Sequence, residues 1–218
     1  MAEPDGVGCL GRQVKQKEEG TMADPWQTLR SRLKTLYWDA TLRTLPRSQR
    51  VHEPLLDEAI ALHEAGEYAA AIALLEAAEQ CASDPVALNA RGLARLGMQN
   101  YQGALEDFAR ADAILRRQRS GVAVNRTATL IQMECYEAAQ QAVQEALDLH
   151  PQWAVPWVNL LTVHCRRHDL DAAFQAAETM KRVWPAWSTD AELRHYLQTD
   201  IELRRLREDP RFEPMFKA

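Results

Sequence analysis

From Asp24 onward, apolar residues recur at helical spacing, and two further changes of pattern, at residues 51 and 188, divide the rest of the chain. Trp26, Leu29, Leu33, Leu36, Tyr37 and Ala40 fall on one face until about Pro46. Asp24 suits a helix N-cap, and Pro25 suits the first helical position, where its missing N–H costs nothing. This predicts an amphipathic basic helix within residues 24–50, with Arg30, Arg32, Lys34 and Arg43 mostly off the apolar face. Residues 1–23 have no apolar period and carry Gly6, Gly8, Gly11 and Gly20, so a disordered tail is expected. Met22 is an alternative start, because the ordered pattern begins two residues after it.

Beyond residue 50 the pattern repeats itself. Four segments share one skeleton: Gly66-Glu-Tyr68-x-x-Ala71-Ile72-x-x-Leu75-x-x-Ala78; Tyr101-x-x-Ala104-Leu105-x-x-Phe108-x-x-Ala111; Tyr136-x-x-Ala139-x-x-x-Val143-x-x-Ala146; and Leu170-x-x-Ala173-Phe174-x-x-Ala177-x-x-Met180. Positions 68, 101, 136 and 170 are separated by 33, 35 and 34 residues. Small residues at 71, 104, 139 and 173 suit the place where two helices cross closely. Tyr68, Tyr101 and Tyr136 open the second helix and fill the space those small residues leave, while Pro85, Pro151 and Pro185 close one unit and help open the next.

Period and letters together resemble the tetratricopeptide repeat family as found in bacteria, whose unit is a helix–turn–helix of 34 residues. Arg91-Gly92 with Leu105-Glu-Asp-Phe108 in the second unit, and Trp157, Leu160 and Pro185 in the fourth, carry the likeness best. It covers residues 51–187, as units of about 52–85, 85–118, 120–153 and 154–187. The fold class it implies is all-α: a right-handed superhelical array of about four such units, with an N-terminal helix and a C-terminal helical cap over residues 188–218. Ends of such an array need covering. Thr189-x-x-Glu192 and Thr199-x-x-Glu202 read as capping boxes for two cap helices. Phe212, Met215 and Phe216 are expected to tuck against the last unit.

Charge is unevenly placed. The total is −5, but residues 24–50 carry +4 and residues 51–187 carry −7, so a basic leader precedes an acidic body. The acidic balance argues against nucleic acid as a partner. No apolar run is long enough to span a membrane, and the N-terminus lacks a secretory-signal pattern. Cys9, Cys81, Cys135 and Cys165 are scattered without a C-x-x-C pair, as in a reduced, cytoplasmic protein. Five lysines against 21 arginines fit a high-GC bacterial composition.

Chemistry-bearing patterns are few, and no cofactor is expected. Phosphate loops, nucleophile elbows and H-E-x-x-H are absent. His164 and His168 share the spacing of a metal chelate, but a packed histidine beside a turn histidine explains it without metal. Cys165 reads as a small wall-lining residue rather than an activated thiol. Glu106-Asp107 points in two directions on a helix and reads as solvated surface charge, not an acid–base pair.

By the resemblance, the first helix of each unit lines a concave surface. The first unit would present Glu53, Leu56, Ile60 and His63, and the second Val86, Asn89, Leu93 and Leu96. The third would present Val124, Asn125, Ala128, Ile131 and Gln132, and the fourth Val155, Val158, Asn159, Thr162, Cys165 and Arg166. Leu56, Gly121 and Val155 stand where some relatives carry the basic residues of a carboxylate clamp, so acidic C-terminal tails are poor ligands. Asn89, Asn125 and Asn159 either grip the backbone of an extended peptide or serve as helix-start residues, and both readings stand at this point. These features lead us to expect a non-catalytic adaptor or assembly factor that binds a peptide or helix of a partner protein. The alternative is a cytoplasmic chaperone for a secreted or assembled client, and a metal- or thiol-dependent enzyme ranks below both. An apolar concave face needs a cover: a partner, a second copy, or the leader helix.

Overall fold

The computed structural model describes residue 51, residues 53–115 and residues 120–216, and all regular structure there is helical. The tail 1–23, the leader helix of 24–50 and the Arg116–Arg119 run lie outside the described residues. Eight helices form four hairpins: α1 (Glu53–Glu64) with α2 (Tyr68–Ala77), α3 (Pro85–Gly97) with α4 (Tyr101–Ile114), α5 (Ser120–Gln132) with α6 (Tyr136–Leu149), and α7 (Ala154–Arg166) with α8 (Leu170–Val183). Each first helix packs on its hairpin partner and on neighbouring first helices, and from α3 onward also on the preceding second helix, so the hairpins stack in one direction. Three short helices follow: α9 (Ala191–Thr199), α10 (Arg204–Glu208) and α11 (Phe212–Phe216).

The repeated letters do what their sizes suggest. Ala71, Ala104, Ala139 and Ala173 are fully buried at the hairpin crossings. Where the backbones approach most closely even alanine is excluded: a Cβ on Gly92 would lie 2.6 Å from Phe108 Cε1, and one on Gly97 2.6 Å from Tyr68 Cε1. Trp157 Nε1 donates to the Pro151 carbonyl at 2.8 Å, tying α7 to the turn that precedes it.

Turns recur as well. Two residues before each second helix, Gly66 (φ 83°), Gln99 (φ 59°), Glu134 (φ 59°) and His168 (φ 60°) adopt the left-handed conformation that ends a helix. Three N-caps use an acidic or amide side chain: Asp84 accepts from Val86 N at 2.8 Å, Asn100 from Gly103 N at 3.1 Å and Asp169 from Ala172 N at 2.9 Å.

At the C-terminus the capping expectation shifts by one residue. Asp190, not Thr189, caps α9 by accepting from Leu193 N at 2.7 Å, and Asp200, not Thr199, accepts from Glu202 N at 3.0 Å. Both threonine hydroxyls instead donate to backbone carbonyls behind them, of Ala186 and His195. A carboxylate next door is the stronger acceptor for the free N–H groups. The closing aromatic segment docks as expected: Phe212, Met215 and Phe216 pack on the core of the fourth unit, Phe216 edge-on to Trp187. Lys181 Nζ donates to the Met215 carbonyl at 2.9 Å and sits over the Trp187 ring.

Candidate protein-binding wall

Four first helices, α1, α3, α5 and α7, stand side by side as one wall, each packed on the next and on its own hairpin partner. Most of the apolar residues expected to line it are closed to solvent. Leu56 and Ile60 are half-buried, whereas Leu93, Leu96, Val124, Ala128, Ile131, Val155, Val158 and Thr162 are buried.

The asparagines are engaged between helices rather than held open. Asn125 Nδ2 donates to Asn89 Oδ1 at 2.7 Å, linking α5 to α3, and Asn159 Nδ2 reaches the Val124 carbonyl at 3.5 Å, linking α7 to α5. One amide per helix therefore clamps neighbouring units in register. Asn125 Oδ1 is left buried without a donor.

The fourth helix is closed by the C-terminal cap. α9 and the 3₁₀ turn Ile201–Leu203 pack on α7, and Leu193, Tyr196, Leu203 and Leu206 share one apolar cluster with Val155, Val158 and Cys165. Arg166, expected to face a ligand, instead holds Glu202 with two hydrogen bonds of 2.6 Å. Sequence reasoning missed Glu202 and Leu206 as part of this face, although the capping motif at residues 199–202 was the available signal.

The chemistry-bearing groups take passive states. Burial pushes the Cys165 thiol up to about 11, against the pull of a backbone hydrogen bond from Leu206, so it is a poor nucleophile. Burial lowers the His164 imidazole below its ordinary value, with Asp169 opposing and Arg167 adding to the shift. His168 stands exposed on the turn beside Arg205. Among the described residues no three His, Cys, Asp or Glu side chains converge as a metal-binding group. The reading of Glu106-Asp107 as surface charge is corrected at Asp107, which is buried and bonded to Arg91.

No family model matches the sequence, and no curated protein does. Solved structures do. The crystal structure of TTC0263, a thermophilic TPR protein of Thermus thermophilus, is 18% identical with a TM-score of 0.53, over 75% of this chain and 90% of that one. MamA from Desulfovibrio magneticus RS-1, beginning at its position 41, is 19% identical with a TM-score of 0.52, over 82% of this chain and 99% of that one. A further MamA crystal structure gives 17% identity and a TM-score of 0.53, over 76% and 87% of the two chains.

The fold is a tetratricopeptide-repeat superhelix. The wall combines buried apolar residues with amide links between neighbouring first helices. Its middle units differ from its last. Among the described elements, α7 has a cap across it, whereas α3 and α5 pack chiefly on their neighbours in the stack.

Proposed function

We propose that the protein is a non-catalytic interaction scaffold that holds a peptide or helix of a partner protein against the concave wall of α1, α3 and α5. The observation that supports this reading is the stacking of four helical hairpins into a tetratricopeptide-type superhelix whose first helices α1, α3 and α5 pack side by side. A binding role is favoured over a catalytic one by the state of the reactive groups: a thiol raised by burial, and a carboxylate at Asp107 committed to an arginine. No helix among the described residues is long and apolar enough to cross a membrane. The scattered cysteines, none in a C-x-x-C pair, favour a reduced, cytoplasmic setting. Recovery of partners from the native host, by affinity purification and mass spectrometry, tests it. Asn125→Ala with Asn159→Ala is expected to shift the wall and deplete the recovered partner while circular dichroism stays helical. Unchanged recovery would remove the wall from the mechanism.

A further inference from the structure

The last second helix, α8, has no unit after it. In the first three units the second helix packs on the first helix of the next, α2 on α3, α4 on α5 and α6 on α7. Among the described elements, the cap that follows α8 packs mainly on α7 and on the turn Trp187–Thr189 instead. What holds to α8 is the short segment of residues 209–216. Arg211 Nη1 donates to Asp171 at 2.6 Å, and its guanidinium lies 4.3 Å over the Phe174 ring. Lys181 Nζ, near the other end of α8, donates to the Met215 carbonyl at 2.9 Å. Phe216 meets Trp187 edge-on at 6.0 Å and Phe212 at 4.8 Å. The groove floor is closed, with Phe174 and Trp187 5% and 7% exposed, whereas Phe212, Met215 and Phe216 above it remain half in water.

We infer that this groove is a second peptide-binding site, set on α8 apart from the wall of first helices. It takes a short peptide reading Arg-Phe-x-x-Met-Phe, and the chain's own residues 211–216 are its resident, exchangeable occupant. The ligand class follows from the contacts: a cation for Asp171 and the Phe174 face, aromatic and thioether side chains beside Trp187, and a backbone carbonyl for Lys181. The resident is joined to α10 by no more than Asp209-Pro210, since α10 ends at Glu208. So short a tether gives it a high effective concentration, and a free peptide of the same sequence enters only when the resident's own anchors are weakened.

The full chain tests this, with a fluorescein-labelled peptide of residues 208–216 as the probe and fluorescence anisotropy as the readout. Phe212→Ala with Phe216→Ala in the chain is expected to tighten probe binding by about tenfold or more over the unaltered chain. Arg211→Ala, at an exposed position, is expected to act in the same direction and keeps the test decisive should the double variant not fold. Adding Asp171→Ala to the Arg211→Ala chain should remove that gain, because the probe's own arginine then lacks its acceptor. A probe of the same residues in scrambled order should not bind. Binding no tighter in either altered chain, equal binding of the scrambled probe, or a gain that survives Asp171→Ala would each overturn the site.

Discussion

Arg91 grips Asp107 across the α3–α4 hairpin, Nε–H to Oδ2 at 2.9 Å and Nη2–H to Oδ1 at 2.6 Å. Asp107 is 1% exposed, and Arg95 Nη1 approaches the same carboxylate at 2.9 Å while its Nη2 reaches Glu76 of α2 at 2.9 Å. One buried carboxylate thus joins three helices from two units. The Asp107 hydrogen bond raises the Arg91 guanidinium above its ordinary value, more than burial lowers it. Removing one partner leaves a charge stranded, which costs about 3–5 kcal/mol. Asp107→Ala is therefore expected to destabilise the array by that order in urea denaturation. Adding Arg91→Leu should recover part of the loss; a double variant no more stable than Asp107→Ala would show that the two residues are not energetically coupled.

Gly92 is held by Phe108 rather than by its backbone angles. A Cβ there would meet Phe108 Cε1 at 2.6 Å, and Phe108 is fully buried. Gly92→Ala should lower stability by about 1–3 kcal/mol through overpacking, despite alanine's better helix propensity. Phe108→Leu made in the Gly92→Ala background should cost less than it does alone. Equal costs in the two backgrounds, read from denaturation midpoints, would count against the steric account.

Gln99 takes φ 59°, a conformation that a side chain makes unfavourable, at the place where the first unit uses Gly66. It is exposed, so its side chain contributes little else. Gln99→Gly is expected to raise stability by about 0.5–1 kcal/mol, and Gly66→Ala to lower it. A fall in melting temperature for Gln99→Gly would contradict the strain assigned to that turn.

These positions also mark what the sequence made legible. Ala104, Gly92 and Phe108 announced the hairpin because small and large residues at fixed spacing complement each other, and period alone then located all four units. Asp107 escaped, since an acid beside Glu106 reads as surface charge until a partner 16 residues away is known to face it. Asn125 was ambiguous for the same reason: an amide is named by sequence, but its choice of Asn89 depends on the pitch of the stack. That Leu93 and Ile131 are apolar was readable; that both are buried in the core was not, because a periodic face says which side is apolar and nothing about what lies against it. The caps were placed one residue early at Thr189 and Thr199, where an aspartate next in line competes for the same N–H groups.

Arg166 and Glu202 hold the C-terminal cap over Cys165 with paired bonds of 2.6 Å, and both side chains are largely shielded. With its thiol pushed up to about 11, Cys165 carries at pH 8 about two orders of magnitude less thiolate than a free cysteine of pKa about 8.5. In the folded protein it should therefore react slowly with iodoacetamide, and fast once denatured. Hydrogen bonds to charged groups contribute about 1.5–3 kcal/mol, so Glu202→Ala should let the cap open locally and speed Cys165 labelling by about tenfold or more. Cys81 is buried far along the chain in a different apolar cluster and serves as the internal reference. Peptide mass spectrometry of the labelled protein separates the two sites. Cys165 labelling that rises no more than Cys81 labelling would mean the cap is held by the Leu203 and Leu206 packing alone, with the ion pair adding nothing to it.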